Sequence, residues 1–358
     1  MHYLSPYLVD TVIRSTPLHI PDGYLSPLTA LVFYLLVIPF WYIAGRRAQR
    51  RLTGRMVPLV ALLAAFSFVI MMFNVPLPGG TTGHAVGASL AAIVVGPWIA
   101  SMAVSIALLI QALFFGDGGI LAFGANSFNL AVVIPFVSYA IYRAISGESP
   151  ITDRRRVVAA FLGGYIGLSV AAFLAGIEFG LQPLLFHAAD GTPLYAPFPL
   201  SVSVPAVLIP HLAVASVVEG LATALIVRYL QQANPGLLAF TEPVVAGVST
   251  ARRRATRALW VGLGLLAVLS PVGLLATGTA WGEWSASELA AKQGFVPQGI
   301  AAGGRLWSAP LSGYTLTMAD DRLAYIASAF IGVAVAFAAI WLVWRLLFDR
   351  RPGIEGLK

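Results

Sequence analysis

Five histidines and no cysteine are what this 358-residue chain has for metal or acid–base chemistry. The missing thiols exclude structural disulfides, thiolate metal sites and thiol nucleophiles, so any metal must take nitrogen or oxygen donors. Two of the histidines stand just ahead of apolar runs. His19 sits in the polar turn segment Leu18 to Pro27, and His84 follows a stretch loosened by Pro76, Pro78, Gly79, Gly80 and Gly83. Irregular backbone at membrane depth is tolerated where it is buried in protein or lines a cavity. An imidazole pair would suit Ni²⁺, Co²⁺, Cu²⁺ or Zn²⁺. Taken one at a time, each histidine is equally well explained by hydrogen bonding at an interface.

A second tier of polar residues could orient such a pair. Asp117 in Gly-Asp-Gly-Gly, and Asn126 and Asn129 in the stretch GANSFN, can give or accept hydrogen bonds behind a metal ligand. Local turn and cap formation accounts for them as well. Glu178, His211 and Glu219 fall inside apolar runs, where ionisable groups are costly and face protein or a partner. His211 and Glu219 are eight positions apart, near two helical turns, and so are expected on one face. They could form a proton relay or a satisfied polar face. Trp281, Glu283 and Trp284 open a polar loop, and membrane-interface anchoring explains the aromatics without a ligand role.

The elements that position these residues are membrane helices. With 58% hydrophobic and 10% charged residues the chain lies far from the soluble average of about 25% charged. Apolar runs at roughly 26–45, 57–74, 84–95, 98–115, 123–145, 157–180, 204–229, 258–277 and 323–347 predict an all-α, polytopic membrane bundle of about nine spans, seven plus two. Most have the roughly 20 residues a crossing needs, and 84–95 is short enough to require wrapping by its neighbours. Its stripe of Gly87, Ala88, Ala91, Ala92 and Gly96 suits close helix packing.

Nine spans place 18 of the 22 Lys and Arg residues on one side, so the positive-inside rule puts the N-terminus outside and the C-terminus inside a cell inner or plasma membrane. The net charge of +7 is then topology, not nucleic-acid recognition. Residues 1–17 have no signal-peptide features and read as a non-native extension. A basic linker at 231–257 divides a module at 18–230 from a two-helix module at 258–358, whose outer loop spans 278–321. That loop is too short for an independent core and is expected to pack on the outer face of the bundle.

Three stretches, LHIPDGYLSP at 18–27, VPLPGGTTGHAVGASLAAIVVGPW at 75–98 and QALFFGDGGILAFGANSFNLAVV at 111–133, resemble the CbiM/NikM family. These are the substrate-binding membrane components of energy-coupling-factor transporters for cobalt and nickel. The last third, around SPVGLLATGTAWGEW, looks like the small CbiN/NikN accessory component fused in line. The resemblance implies a transported Co²⁺ or Ni²⁺ and no permanently bound cofactor. It also implies a metal site made of the N-terminal amine, the following histidine's amide and imidazole, and a second imidazole. Carried over, these are Leu18 as the amine, His19 and His84. Four nitrogens in a plane suit Ni²⁺ or Cu²⁺ and accommodate Co²⁺. Residue 18 offers an amine only if the chain starts there, so translation initiation at codon 18, or clipping of the extension, is expected.

The chain holds only two lysines, Lys292 and Lys358, and neither lies in a phosphate-binding loop. It is therefore not expected to hydrolyse ATP, and with no nucleophile and base pair at recognisable spacing it is not expected to be another enzyme. The resemblance implies a transmembrane coupling subunit and cytoplasmic ATPase subunits as partners, beside the divalent ion and the bilayer. A self-contained proton-coupled metal permease using Glu178, His211 and Glu219 is the alternative. The ligand types do not separate cobalt from nickel, though a fused accessory segment leans toward cobalt, and with it cobalamin biosynthesis.

Overall fold

The computed structural model describes residues 19–54, 56–241, 252–276, 278–304, 306–316 and 319–348. Residues 1–17, Leu18 and residues 242–251 of the expected basic linker lie outside the described residues. Among those described, seven helices are long and apolar enough to cross a membrane. They are α1 (Pro27–Arg51), α4 (Pro97–Phe115), α5 (Phe123–Ser146), α6 (Arg154–Leu185), α7 (Leu200–Ala233), α8 (Arg252–Leu269, extended by a 3₁₀ turn to Leu275) and α11 (Asp321–Phe348).

The other two predicted spans are shorter. Helix α2 (Val57–Met71) has 15 residues and α3 (Ala88–Val95) has eight. At 1.5 Å per residue, α3 covers about 12 Å, well short of the roughly 30 Å hydrocarbon layer. All eight of its residues are buried, because its small side chains let α4, α5, α6 and α7 close around it. The stripe predicted from the sequence thus packs within the chain.

The segment between α2 and α3 is more ordered than a loop. Val75–Leu77 (β1) and Thr81–Gly83 (β2) pair antiparallel, and Gly79 and Gly80 take φ of +91° and +75° in the turn between them, which glycine adopts without a Cβ clash. The polar segment 278–321 carries two short helices, α9 (Ala286–Gln293) and α10 (Gln298–Gly303). It lies over the end of the bundle that holds residues 19–25 and the β1–β2 hairpin. Thr81 and Thr82 donate their hydroxyls to the Thr279 and Gly278 carbonyls, Tyr24 donates to the Trp284 carbonyl and Trp307 to that of Leu113. Helix α11 packs on α2, and Tyr325 donates to the Met72 carbonyl where α2 ends.

Three helices change pitch as they reach this end of the bundle. Gln111–Phe115 in α4, Ser127–Val133 in α5 and His211–Ala215 in α7 are π-helical. The wider turns shift the phase of every residue beyond them, and such turns recur at functional sites.

Candidate metal centre

The sequence places His19 and His84 65 positions apart, and the fold brings their rings to a centroid separation of 5.1 Å at 67°. Both are buried, at 3% and 7% exposure, and both line one cavity of about 90 Å³. Imidazole–metal bonds of about 2.0–2.1 Å put two rings sharing an ion roughly 4.5–6.5 Å apart, centroid to centroid. The observed separation falls in that window.

Each ring is held by Nδ1. The His84 Nδ1 lies 3.0 Å from the Ala85 carbonyl, an obligate acceptor, so Nδ1 carries the proton and Nε2 keeps its lone pair. Burial first, and then neighbouring His19, push the His84 pKa down to about 4, which leaves its imidazole neutral and able to ligate at neutral pH. The His19 Nδ1 lies 2.8 Å from Asp117 Oδ1, while its Nε2 is buried without a hydrogen-bonding partner. Burial raises the Asp117 pKa, but His19 and a 2.6 Å hydrogen bond from the Tyr314 hydroxyl overcome this and hold it down to about 2. Asp117 is thus an ionised carboxylate behind a candidate ligand, the carboxylate–histidine arrangement common at metal sites.

The backbone around His19 is pinned from the start of α5. Asn126 accepts from the Ile20 amide at 3.1 Å and donates to the Ile20 carbonyl at 3.0 Å. The Asp22 carboxylate accepts from the amides of Ile120, Leu121 and Ala122, just ahead of α5. Gly118 at φ +90° lets the loop pass against His19, since a Cβ there would stand 3.0 Å from that of His19. Asn129, from the π-helical turn of α5, lines the cavity and donates to Glu178 Oε1 at 2.8 Å.

Glu219 has a use the sequence did not disclose. Its Oε2 accepts from the amides of Val86 and Gly87 at 2.8 and 2.9 Å, and its Oε1 from that of Ser89 at 3.3 Å. These are the donors at the N-terminus of α3, where a carboxylate is stabilised by unpaired amides and the helix dipole. The π-helical turn at 211–215 takes up one extra residue, which brings His211 and Glu219 closer to a common face. His211 lines the cavity beside His84 and Val86, and Glu219 fastens the turn that carries His84 through the Val86 and Gly87 amides, so both approach the same segment.

Three contributors come from the segment 278–321. Tyr314 also accepts from Gln111 Nε2 at 3.2 Å, and burial together with the Asp117 charge pushes the tyrosine's pKa well up. Trp281 lines the cavity and packs with Phe179, Phe198 and Trp284, so these aromatics form an internal cluster. Glu283 lines the same cavity, with Oε2 buried and unpartnered; burial and then the Asp117 charge raise its pKa well above the carboxylate range.

Among the described residues no three His, Asp or Glu side chains converge in metal-ligand geometry. Within mutual reach the side chains supply two imidazoles, and further donors have to come from backbone, water or a side chain that moves onto the ion.

Fold and site together define a polytopic helical membrane protein with two buried imidazoles on one cavity at one end of the bundle. The chain belongs to the CbiM family: the model of the cobalt uptake substrate-specific transmembrane region matches residues 19–237, and that of the PDGLE domain matches 257–349. It is 50% identical over 341 residues to the fused nickel transport protein NikMN of Rhodobacter capsulatus, covering 91% of this chain and 96% of that one. It is 42% identical to the probable fused nickel transport protein LarMN of Lactiplantibacillus plantarum, covering 89% and 95%. A crystal structure of a truncated transition metal transporter superposes with a TM-score of 0.57 at 50% identity, covering 60% of this chain and 99% of that one.

Proposed function

We propose that this protein captures a divalent transition-metal ion at the His19–His84 cavity and delivers it across the membrane as the substrate-binding component of an ATP-driven importer. The 5.1 Å approach of two buried imidazoles with anchored Nδ1 atoms carries the reading. Family membership gives the class of cargo. Full-length relatives sharing the fused arrangement are described as nickel transport proteins, so nickel replaces the lean toward cobalt drawn from the fusion alone.

The donor set we propose is His19 and His84, completed by the His19 amide and the amine of residue 18 when that residue is the N-terminus. Only Nδ1 of His19 can close a six-membered ring with its own backbone nitrogen. In the structure that nitrogen faces Asp117, so closing the chelate turns the ring and passes Nδ1 to the ion. Whichever ring nitrogen meets the metal, the other is available to Asp117.

The proposed orientation has the cavity outside, since Arg46, Arg47 and Arg50 at the end of α1, Arg143 at the end of α5, Arg154 to Arg156 at the start of α6 and Arg228 near the end of α7 fall at the opposite end of the bundle, and the positive-inside rule assigns that end to the cytoplasm. Energy would come from a transmembrane coupling subunit and cytoplasmic ATPases. The competing permease reading retains Glu178 and His211 near the cavity, whereas both carboxylate oxygens of Glu219 are engaged by backbone amides.

Uptake of ⁶³Ni²⁺ into cells carrying the partner subunits tests the proposal. Uptake should need an intact ATPase and survive a proton uncoupler while ATP is maintained. Uptake that collapses with the uncoupler at constant ATP would favour the permease.

A further inference from the structure

The loop 278–321 lies outside the region matched by the metal-transport family model, yet it places a carboxylate at the metal cavity. Glu283 follows a turn at Gly282, whose φ is +84° and which abuts the Phe179 ring so closely that a Cβ would stand 2.8 Å from it. The turn is closed by the Glu283 amide donating to the Ala280 carbonyl at 3.1 Å, and it is walled by the packed rings of Trp281, Trp284 and Phe198. This frame fixes the direction of the side chain. Glu283 reaches the cavity lined by His19 and His84, and its Oε2 there is sealed from solvent without a hydrogen-bond donor.

A buried carboxyl oxygen with no hydrogen-bond partner is costly, and a cation that takes the place of the carboxyl proton would complete it. Of the polar groups around it, Asp117 is anionic and already takes His19 and Tyr314, and Asn129 is turned to Glu178. No lysine or arginine lines the cavity among the described residues. A divalent ion arriving between the two imidazoles would supply the missing partner, and carboxylate oxygen is an ordinary ligand for first-row metals beside imidazole.

We propose that Glu283, a residue of the C-terminal module, is a ligand for the entering divalent cation, holding it in the His19–His84 cavity while the nitrogen donors close on it. This deepens the capture reading above and rests on it. It gives the fused module a chemical part in loading, through one carboxylate rather than through packing alone.

The test uses purified full-length protein and NiCl₂, following metal entry by stopped-flow fluorescence of the cavity tryptophan and final stoichiometry by equilibrium metal analysis. Glu283→Gln keeps the shape and removes the group that can bind a cation as a carboxylate. It should slow Ni²⁺ association at least about tenfold while final stoichiometry remains that of the unmodified protein, and Glu283→Asp should recover part of the rate, which a packing role would not produce. Association by Glu283→Gln at the unmodified rate, with His84→Ala unable to bind, would overturn the inference and leave the capture site standing. Full Ni²⁺ binding by His84→Ala would instead overturn the capture reading itself.

Discussion

Asp117 holds His19 with one oxygen and Tyr314 with the other, at 2.8 and 2.6 Å. A single buried carboxylate thereby ties the N-terminal segment that carries a candidate ligand to the loop of the C-terminal module. Outer partners of metal-bound histidines fix ring orientation and raise basicity, and losing one costs about 10–100-fold in affinity. Asp117→Asn is therefore expected to weaken Ni²⁺ binding by about that factor, measured by competition against a chelating dye, with the helical circular dichroism unchanged.

Tyr314 should act through Asp117. Removing the hydroxyl with Tyr314→Phe leaves the carboxylate in place but takes away one charge-assisted hydrogen bond, worth about 1.5–3 kcal/mol. The expected loss of Ni²⁺ affinity is smaller than for Asp117→Asn, and the double variant should lose less than the two single losses combined, because both act on one network. Strict additivity would mean that the tyrosine works independently of the carboxylate.

His84 is the donor that no neighbour can replace. Truncation to alanine is expected to lower Ni²⁺ affinity by more than about 100-fold, beyond what an outer partner is worth. His187, which donates to the Ala188 carbonyl from an exposed position, serves as the control, and His187→Ala should bind as the unmodified chain does.

Glu219 separates two accounts of the same carboxylate. As the acceptor for the amides of Val86, Gly87 and Ser89 it should be structural, and Glu219→Gln, which keeps a single acceptor oxygen and no charge, is expected to cost about 2 kcal/mol. That should appear as a melting temperature lower by several degrees in detergent, together with weaker metal retention because the turn bearing His84 loosens. A proton relay would leave the melting temperature alone and abolish uptake.

The proposed chelate also makes a statement about covalent structure. A planar site using the His19 amide needs a free amine on residue 18, so intact-mass analysis of metal-loaded native protein should give a chain beginning there. The nickel should show the diamagnetic visible spectrum of a planar four-nitrogen complex. Stoichiometric planar binding by a chain that retains residues 1–17 would refute this donor set.

Scarcity and hydropathy carried the sequence reading a long way. With no cysteine and five histidines, His19 and His84 stood out by type and by position before apolar runs. Those runs located the helices because a membrane span must be continuous and apolar whatever its neighbours are. The motifs around Asp22, His84 and Asp117 pointed to the family, and each is a local segment whose turn or cap chemistry is written in adjacent residues.

What only the tertiary structure decided is non-local. Tyr314 reaches Asp117 across 197 positions, and no periodicity within either segment encodes that meeting. Glu283 read as part of an interfacial aromatic turn until the fold turned it into the cavity. Helix spacing placed His211 and Glu219 on one face, but only the fold assigned one to the cavity and the other to the backbone amides at the start of α3. Side-chain type and hydropathy are properties of single residues and short windows and so survive in sequence, whereas the partner of a buried charge is chosen by how distant elements pack.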